Sequence, residues 1–162
     1  MGAGKTTVGT LVAERLGRRF FDTDPLVERV ASRTIDSFFS SGQEQAFRQA
    51  EAACIEELLE RLDSVIALGG GAFLQPATQS LLLGRALVVH LQVPWEGVET
   101  YLDDIAGSRP LLRGRSRDEV HQLYLSRQTA YRRAHLTILA PRLGAPFVVD
   151  RLLEALGADQ PP

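Results

Sequence analysis

The amino-terminal residues of the chain carry most of a phosphate-binding loop. Residues 1–7 read MGAGKTT, which matches the downstream part of the pattern G-x-x-x-x-G-K-[ST]; the first glycine of that pattern would fall two residues before Met1. In such loops successive backbone N–H groups form a concave nest for an anion, and the following helix adds the positive end of its dipole. The sequence therefore predicts a nucleotide triphosphate site formed by Gly2, Ala3, Gly4, Lys5, Thr6 and Thr7.

Two side chains of this loop are predicted to have separate roles. The ammonium group of Lys5 would contact the β- and γ-phosphates, and the hydroxyl of Thr6 would coordinate Mg²⁺. The alternative is a flexible Gly/Ala arm with no ligand. A helical pattern follows directly and favours the phosphate loop, with Gly17 at the C-terminal end of a stripe made of Val8, Leu11, Val12 and Leu16.

Two carboxylates follow the next predicted strand, residues 19–21. Because open parallel sheets bind ligands at the carboxyl ends of their strands, Asp22 and Asp24 are candidates for a metal-bound water and an acceptor hydroxyl. Asp24 followed by Pro25 also predicts a helix N-cap with proline in the first helical position. If Asp24 were considered without its neighbours, the N-cap interpretation would be preferred. The nearby phosphate loop favours the ligand-binding interpretation instead.

Three consecutive glycines follow the buried strand predicted at 64–68, namely Gly69, Gly70 and Gly71. Glycine has no Cβ, so the backbone can approach a ligand closely at such positions. A purely structural turn is the alternative, although turns between a strand and a helix contain one glycine more often than three.

Two arginines on predicted helices could hold an anionic substrate. Arg48 lies on a helix predicted at 43–62, and Arg127 on a helix predicted at 118–135. A guanidinium group matches a carboxylate bidentately, so the two could clamp one carboxylate. Both could equally be solvated or paired with a neighbouring acid such as Glu51, and the pattern alone leaves this open.

The stretch from about 107 to 117 is rich in arginine and lacks periodicity, which predicts a mobile loop. A mobile segment with a cation suits a lid that covers the transferred phosphate, and Arg109 is its candidate. The other arginines of this stretch are interpreted as surface charges: Arg113, Arg115 and Arg117.

Strand-like and helix-like stretches alternate, which predicts a single α/β domain with a mainly parallel sheet over the 162 residues. Residues 157–162 are predicted to be frayed. The remaining strands are predicted at 86–93 and 136–139, and the remaining helices at 76–83, 95–105 and 147–156.

The net charge, the cysteine count and the apolar runs of the chain exclude several classes of protein. A net charge of −2 provides no field that would attract a nucleic acid. The single cysteine, Cys54, excludes an internal disulfide and fits a reducing compartment. No apolar run approaches the ~20 residues of a membrane span, and no signal peptide is evident, so the prediction is a cytoplasmic protein without a membrane or nucleic-acid partner.

Taken together, six motifs in this order resemble the shikimate kinases. They are the phosphate loop at 2–7, FDTD at 21–24, GQEQAFRQAE at 42–51, LGGG at 68–71, RPLL at 109–112, and Arg127-x-x-x-Tyr131. The phosphate loop is shared with many NTPases. The combination of F-D-x-D, F-R-x-x-E and three glycines distinguishes this family from gluconate and nucleoside monophosphate kinases.

The resemblance implies a three-layer P-loop kinase fold of the nucleoside monophosphate kinase type, with parallel strands in the order 2-3-1-4-5. It implies transfer of the ATP γ-phosphoryl group to the 3-hydroxyl of shikimate, in aromatic amino-acid biosynthesis. The protein is predicted to be a monomer. The kinase of another small hydroxy acid, or an inactive nucleotide-binding homologue, is the alternative.

The resemblance also implies residue roles. Lys5, Asp24 and Arg109 would be catalytic, and Thr6, with Asp22 acting through water, would hold Mg²⁺. Arg142 is the nearest candidate for an adenine contact. Shikimate would contact Asp24, Arg48, Gly69, Gly70, Gly71 and Arg127, with Phe39 and Phe47 beside its ring.

Members of the family carry an apolar first strand ahead of the residue that matches Met1, in the middle of the sheet. Without it, backbone groups of the flanking strands would lack partners at ~1–3 kcal/mol each. The expectation is that Met1 is internal and that the functional protein is longer by about ten residues.

Overall fold

The described strands form two separate parallel pairs. The computed structural model of the chain describes residues 2–102, 112–140 and 144–157. Strand β1 (Arg19–Asp22) pairs with β2 (Ser64–Ala67), and β3 (Val89–Gln92) pairs with β4 (Leu136–Leu139). Both pairs are parallel and four residues long.

Helices surround these strands. A short 3₁₀ turn, Ala72–Leu74, follows the glycine run. None of the described helices is both long and apolar enough to span a bilayer. The α-helices within the described residues are α1 (Lys5–Arg15), α2 (Thr23–Ala31), α3 (Ile35–Ser40), α4 (Glu44–Leu59), α5 (Pro76–Arg85), α6 (Trp95–Glu99), α7 (Arg117–Tyr131) and α8 (Ala145–Ala155).

This arrangement confirms the predicted α/β class with parallel strands. In chain order, β1 to β4 correspond to strands two to five of the order 2-3-1-4-5, so each observed pair lies on one side of the first strand's position. Among the described residues no strand joins β2 to β3.

Helix α1 begins and ends on glycines in the left-handed region. Gly4 precedes it with φ 67°, and Gly17 follows it with φ 62°. At the carboxyl end the N–H of Arg18 donates to the carbonyl of Ala13 over 2.8 Å, and the N–H of Gly17 donates to that of Glu14 over 3.2 Å. This double closure is the usual reason for a glycine there, and it confirms the predicted helix end.

The N-cap of α2 was predicted wrongly. Asp22, with extended backbone angles, caps the helix, because its carboxylate accepts a hydrogen bond from the N–H of Asp24 over 3.1 Å. Asp24 therefore lies inside the first turn, where its charge favours the helix dipole. Helix α3 is capped by Thr34, whose side chain accepts from the N–H of Ser37.

Several other boundaries were also wrong, among them the end of the helix predicted at 118–135, which stops at Tyr131. Helix α4, predicted to reach residue 62, stops at Leu59, and Leu62 is 80% exposed. Helix α5, predicted to end at 83, continues through Gly84 to Arg85. The strand predicted at 86–93 is shorter in the structure, where β3 spans Val89–Gln92 and Leu87 is 58% exposed. Apolar runs alone do not fix where pairing starts.

Two apolar layers enclose the strands. On one side α1 packs against α8, with Val12 and Leu152 in a cluster that also contacts Val89 and Leu91 of β3. On the other side Ile55 and Leu82 form a cluster with the 3₁₀ turn. The result is three layers, helix, sheet and helix, which hold the carboxyl ends of β1 and β2 beside the start of α1.

Candidate active site

The phosphate loop and both predicted carboxylates lie around one cavity. Its volume is about 160 Å³, and its walls come from Gly2, Ala3, Gly4, Lys5, Thr6, Thr7, Asp22, Asp24 and Leu68. Gly2 and Gly4 both have positive φ, 61° and 67°, which side-chain-bearing residues rarely adopt. The backbone thus turns into the start of α1, where N–H groups and the helix dipole favour an anion.

Asp22 connects the loop to α2. The hydroxyl of Thr6 donates to one carboxylate oxygen of Asp22 over 2.7 Å, while the other oxygen accepts from the N–H of Asp24. A hydroxyl and a carboxylate side by side are the hard oxygen ligands that Mg²⁺ accepts, and Mg²⁺ usually keeps waters and binds phosphate with few protein ligands. These two residues fit the predicted metal site.

A larger cavity adjoins the first. It has a volume of about 870 Å³, and the residues at its polar end include Asp24, Arg48, Gly69, Gly70, Gly71 and Arg127. Lys5 and Asp24 line both cavities. The structure therefore brings together the predicted substrate residues at one end of this space, next to the phosphate loop.

Arg48 is held by two glutamates on its own helix. Its guanidinium lies 2.7 Å from Glu51 and 3.2 Å from Glu44, and it packs over the rings of Phe47 and Phe39 at 5.0 and 5.8 Å. The sequence left open whether Arg48 pairs with a neighbouring acid, and in the structure it does. The arginine still lines the cavity, so pairing fixes its orientation there.

Glu51 is a site residue that the sequence reasoning did not select. Its side chain is only 2% exposed, and burial raises the pKa of its carboxyl group, opposed by the hydrogen bond from Arg48. One of its oxygens, Oε1, is buried without a hydrogen-bond partner among the described residues. The spacing of three residues from Arg48 on a helix was the available signal.

The glycine run is fastened at two points. The N–H of Gly69 donates to the buried hydroxyl of Thr23 over 2.8 Å, and the phenol of Tyr131 donates to the carbonyl of Gly70 over 2.7 Å. Thr23 was also missed by sequence reasoning, because a threonine next to two aspartates carries no distinctive pattern.

At two of the three positions there is no room for a side chain, which explains why they are glycines. A Cβ at Gly69 would overlap carboxylate oxygens of Glu51 and Asp24, and one at Gly71 would lie 2.5 Å from the guanidinium of Arg48. A Cβ at Gly70 would meet nothing within 4 Å, so this position opens to the cavity. The triplet thus lets charged side chains close in on the backbone.

Arg127 lies on α7, four residues before Tyr131, and is 9% exposed. Burial of an arginine requires compensating partners. It lines the same cavity as Arg48, so the two predicted clamp residues share one space although they come from helices far apart in sequence.

Arg109 and Arg142 lie outside the described residues, as do positions 107–111 of the predicted lid. In the described remainder Arg113 pairs with Asp36 over 2.5 Å and is 49% exposed, and Arg117 pairs with Glu99. Both agree with the interpretation as surface charges.

Comparisons with known proteins agree on one family. The family model described as Shikimate kinase matches residues 1–157. A curated shikimate kinase of Geobacillus thermodenitrificans is 36% identical over 158 residues, covering 96% of this chain and 84% of the relative. One from Microcystis aeruginosa is 39% identical, covering 96% and 82%.

Solved structures extend the similarity to the fold. The shikimate kinase of Acinetobacter baumannii in complex with shikimate is 36% identical, with a TM-score of 0.86 over 99% of this chain and 91% of that one. The enzyme of Bacteroides thetaiotaomicron is 29% identical, with a TM-score of 0.84 over 97% and 94%.

Proposed function

The chain belongs to the shikimate kinase family, and we propose that the residues around its two adjoining cavities transfer the γ-phosphoryl group of ATP to the 3-hydroxyl of shikimate. One observation carries the proposal: Lys5 and Asp24 line both cavities. A phosphate donor in the smaller cavity and a ring acid in the larger one would meet at these two side chains.

The donor is held by the phosphate loop. Backbone N–H groups of residues 2–7 surround the phosphates, and Lys5 offsets the charge that develops on the transferred group. Thr6 and Asp22 would hold Mg²⁺, Asp22 through a bound water, and the ion would offset negative charge on the phosphates. Because Thr6 and Asp22 already contact each other at 2.7 Å, their oxygens are positioned to act on one ion.

The acceptor is positioned by charge. Arg48 and Arg127 bind the ring carboxylate, and the backbone at Gly70 contacts the ring through the space that the missing Cβ leaves open. Asp24 accepts a hydrogen bond from the reacting hydroxyl and orients it toward phosphorus. Phosphoryl transfer is largely dissociative, so this alignment contributes more than proton removal does.

Arg109 and Arg142 complete the proposal on the strength of the family resemblance. Arg109 would reach the phosphates from the lid and exclude water, and Arg142 would contact adenine. A cytoplasmic monomer remains the predicted setting.

The activity is tested by incubating the chain with ATP, Mg²⁺ and shikimate and following ADP release, with the phosphorylated product identified by ³¹P NMR. We expect turnover that stops on addition of EDTA. Gluconate and AMP serve as acceptors for the alternative kinase classes, and neither should support comparable ADP release. Preference for gluconate or AMP would replace shikimate as the substrate, and nucleotide binding without any turnover would leave only the inactive-homologue alternative.

Gly71→Ala tests the close approach of the glycine run to Arg48. The φ of Gly71, −117°, suits any residue, so the effect is steric: the new methyl group displaces the guanidinium that lies 2.5 Å away. We expect the KM for shikimate to rise about tenfold, the size of one weakened charge-assisted contact, with little change in the KM for ATP.

The matched control is Gly84→Ala, a helical position with no neighbour within 4 Å. It should leave both KM values unchanged and stabilise the fold by about 0.5–1 kcal/mol. If Gly71→Ala behaves like Gly84→Ala in steady-state kinetics, the contact with Arg48 does not position the substrate.

A further inference from the structure

Arg33, which the catalytic proposal does not use, connects three helices. It lies between α2 and α3, and its Nε donates to the hydroxyl of Ser37 over 3.0 Å. Its Nη2 donates to the carbonyl of Ser37 over 2.8 Å and to the hydroxyl of Ser41 over 2.5 Å. Its Nη1 donates to the side-chain oxygen of Gln43, the residue that precedes α4. One side chain therefore joins the loop after α2 to α3 and to the start of α4.

The contacts of Arg33 require the shape of a guanidinium group. Every nitrogen of the planar fork donates a hydrogen bond, which the single ammonium nitrogen of a lysine could not reproduce. The same group lies over the ring of Phe38, 4.4 Å from its centroid, where a cation is attracted to the face of the ring. Arg33 thus fixes both the backbone of α3 and a buried side chain of that helix.

Phe38 leads from Arg33 to the wall of the larger cavity. Its ring lies 5.8 Å from that of Phe47, which in turn lies 5.6 Å from that of Phe39. Arg48 packs over the last two rings. Phe39, Phe47 and Arg48 line the cavity, whereas Arg33 does not. Any effect of Arg33 on a bound acceptor must therefore act through these neighbours.

The turn between α3 and α4 makes a second connection. It consists of residues 41–43, and the N–H of Gln43 donates to the carbonyl of Phe38 over 2.8 Å. Arg33 binds side chains at both ends of this turn, Ser41 and Gln43. Because the turn is short, a displacement of α3 would carry over to the start of α4, the helix that holds Arg48.

We propose that Arg33 is a positioning residue for the acceptor, because it fixes α3 against the start of α4 and so places Phe39 and Arg48 in the larger cavity. This inference rests on the proposed function, which assigns that cavity to shikimate. The phosphate loop lies on a different element, at the start of α1. Loss of Arg33 should therefore affect shikimate and ATP unequally.

The test is Arg33→Met, which keeps an apolar stem and removes the guanidinium group. We expect the KM for shikimate to rise about fivefold to tenfold, since misplaced binding groups lose part of their charge-assisted contacts. The KM for ATP should stay within about twofold of the parent value. Initial rates over a matrix of both substrate concentrations give the two constants. A merely structural role would reduce the folded fraction, which lowers the apparent kcat and leaves both KM values unchanged.

Hydrogen exchange with mass spectrometry tests the hold on α3 without any substrate. The amides of Ile35–Ser40 should exchange faster in Arg33→Met than in the parent chain, because local opening of this helix becomes easier. The matched control is Arg29→Met, which removes the same charge from an exposed position in the last turn of α2. It should leave both KM values and the exchange of α3 unchanged.

Two milder variants keep the test decisive if Arg33→Met folds poorly. Arg33→Lys retains the charge but not the fork, so it should restore the KM for shikimate only in part. Gln43→Ala removes one acceptor at an exposed position and should raise that KM about twofold to threefold.

Four results would overturn the role of Arg33: a parent-like KM for shikimate in Arg33→Met, equal increases in both KM values, full recovery in Arg33→Lys, or parent-like exchange in α3. A parent chain that releases no ADP with shikimate would contradict the proposed function instead. The exchange of α3 would still decide whether Arg33 holds that helix.

Discussion

Asp24→Asn should lower kcat for shikimate by about a hundredfold, with little effect on the KM for ATP. Asn keeps the size of the side chain but loses the charged acceptor that orients the reacting hydroxyl, and small misalignments of reacting groups cost about this much. Steady-state kinetics at saturating ATP measure the effect. Asp24 is not the cap of α2, since Asp22 performs that function, so the substitution keeps the capping hydrogen bond.

A control variant that neutralises a distant aspartate tests whether the loss of kcat in Asp24→Asn reflects a general change of charge. Asp150 lies on α8, is 55% exposed and pairs loosely with Arg15 at 3.7 Å, so Asp150→Asn should leave kcat unchanged. Turnover of Asp24→Asn comparable to that of the parent chain would remove Asp24 from the proposed catalytic residues.

Arg48→Ala should raise the KM for shikimate about 10- to 100-fold, with a much smaller change in the KM for ATP. One bidentate, charge-assisted contact to the ring carboxylate contributes about 1.5–3 kcal/mol. Initial rates over a matrix of both substrate concentrations give the two KM values. Equal increases in both would reject the carboxylate clamp.

Arg48→Ala would also lower the stability of the fold, because Glu51 is 2% exposed and would lose the cation that pairs with it. An uncompensated buried charge destabilises a protein by about 3–5 kcal/mol. The double variant Arg48→Ala/Glu51→Gln removes that charge and should show the same rise in the KM for shikimate. Arg61→Ala is the control, since Arg61 is 43% exposed and pairs with Glu57 near the end of the same helix.

The catalytic motifs were predictable because each places chemistry in a short, local pattern. The turn at Gly4 and the closing of α1 at Gly17 follow from glycine's access to positive φ. The carboxylates after β1 and the glycines after β2 follow from the position of ligands at the carboxyl ends of parallel strands. The structure places Gly4, the two carboxylates and the three glycines around two adjoining cavities.

Features that depend on distant contacts were not predictable in the same way. The sequence identifies Glu51 only as a neighbouring acid for Arg48, and its burial beside that arginine depends on the fold. The choice between Asp22 and Asp24 as the cap depends on backbone angles that both residues can adopt. The roles of Arg109 and Arg142, and the strand expected ahead of Met1, stay predictions.

The shared wall between the two cavities has a consequence for ligand design. Because Lys5 and Asp24 border both spaces, a single molecule that joins a polyphosphate to a cyclic hydroxy acid would need only a short tether, which would lie at these two side chains. Its second half would bind at the high effective concentration that a short tether provides. Such a bisubstrate inhibitor would gain selectivity over other ATP-using enzymes from the half that lies between the arginines.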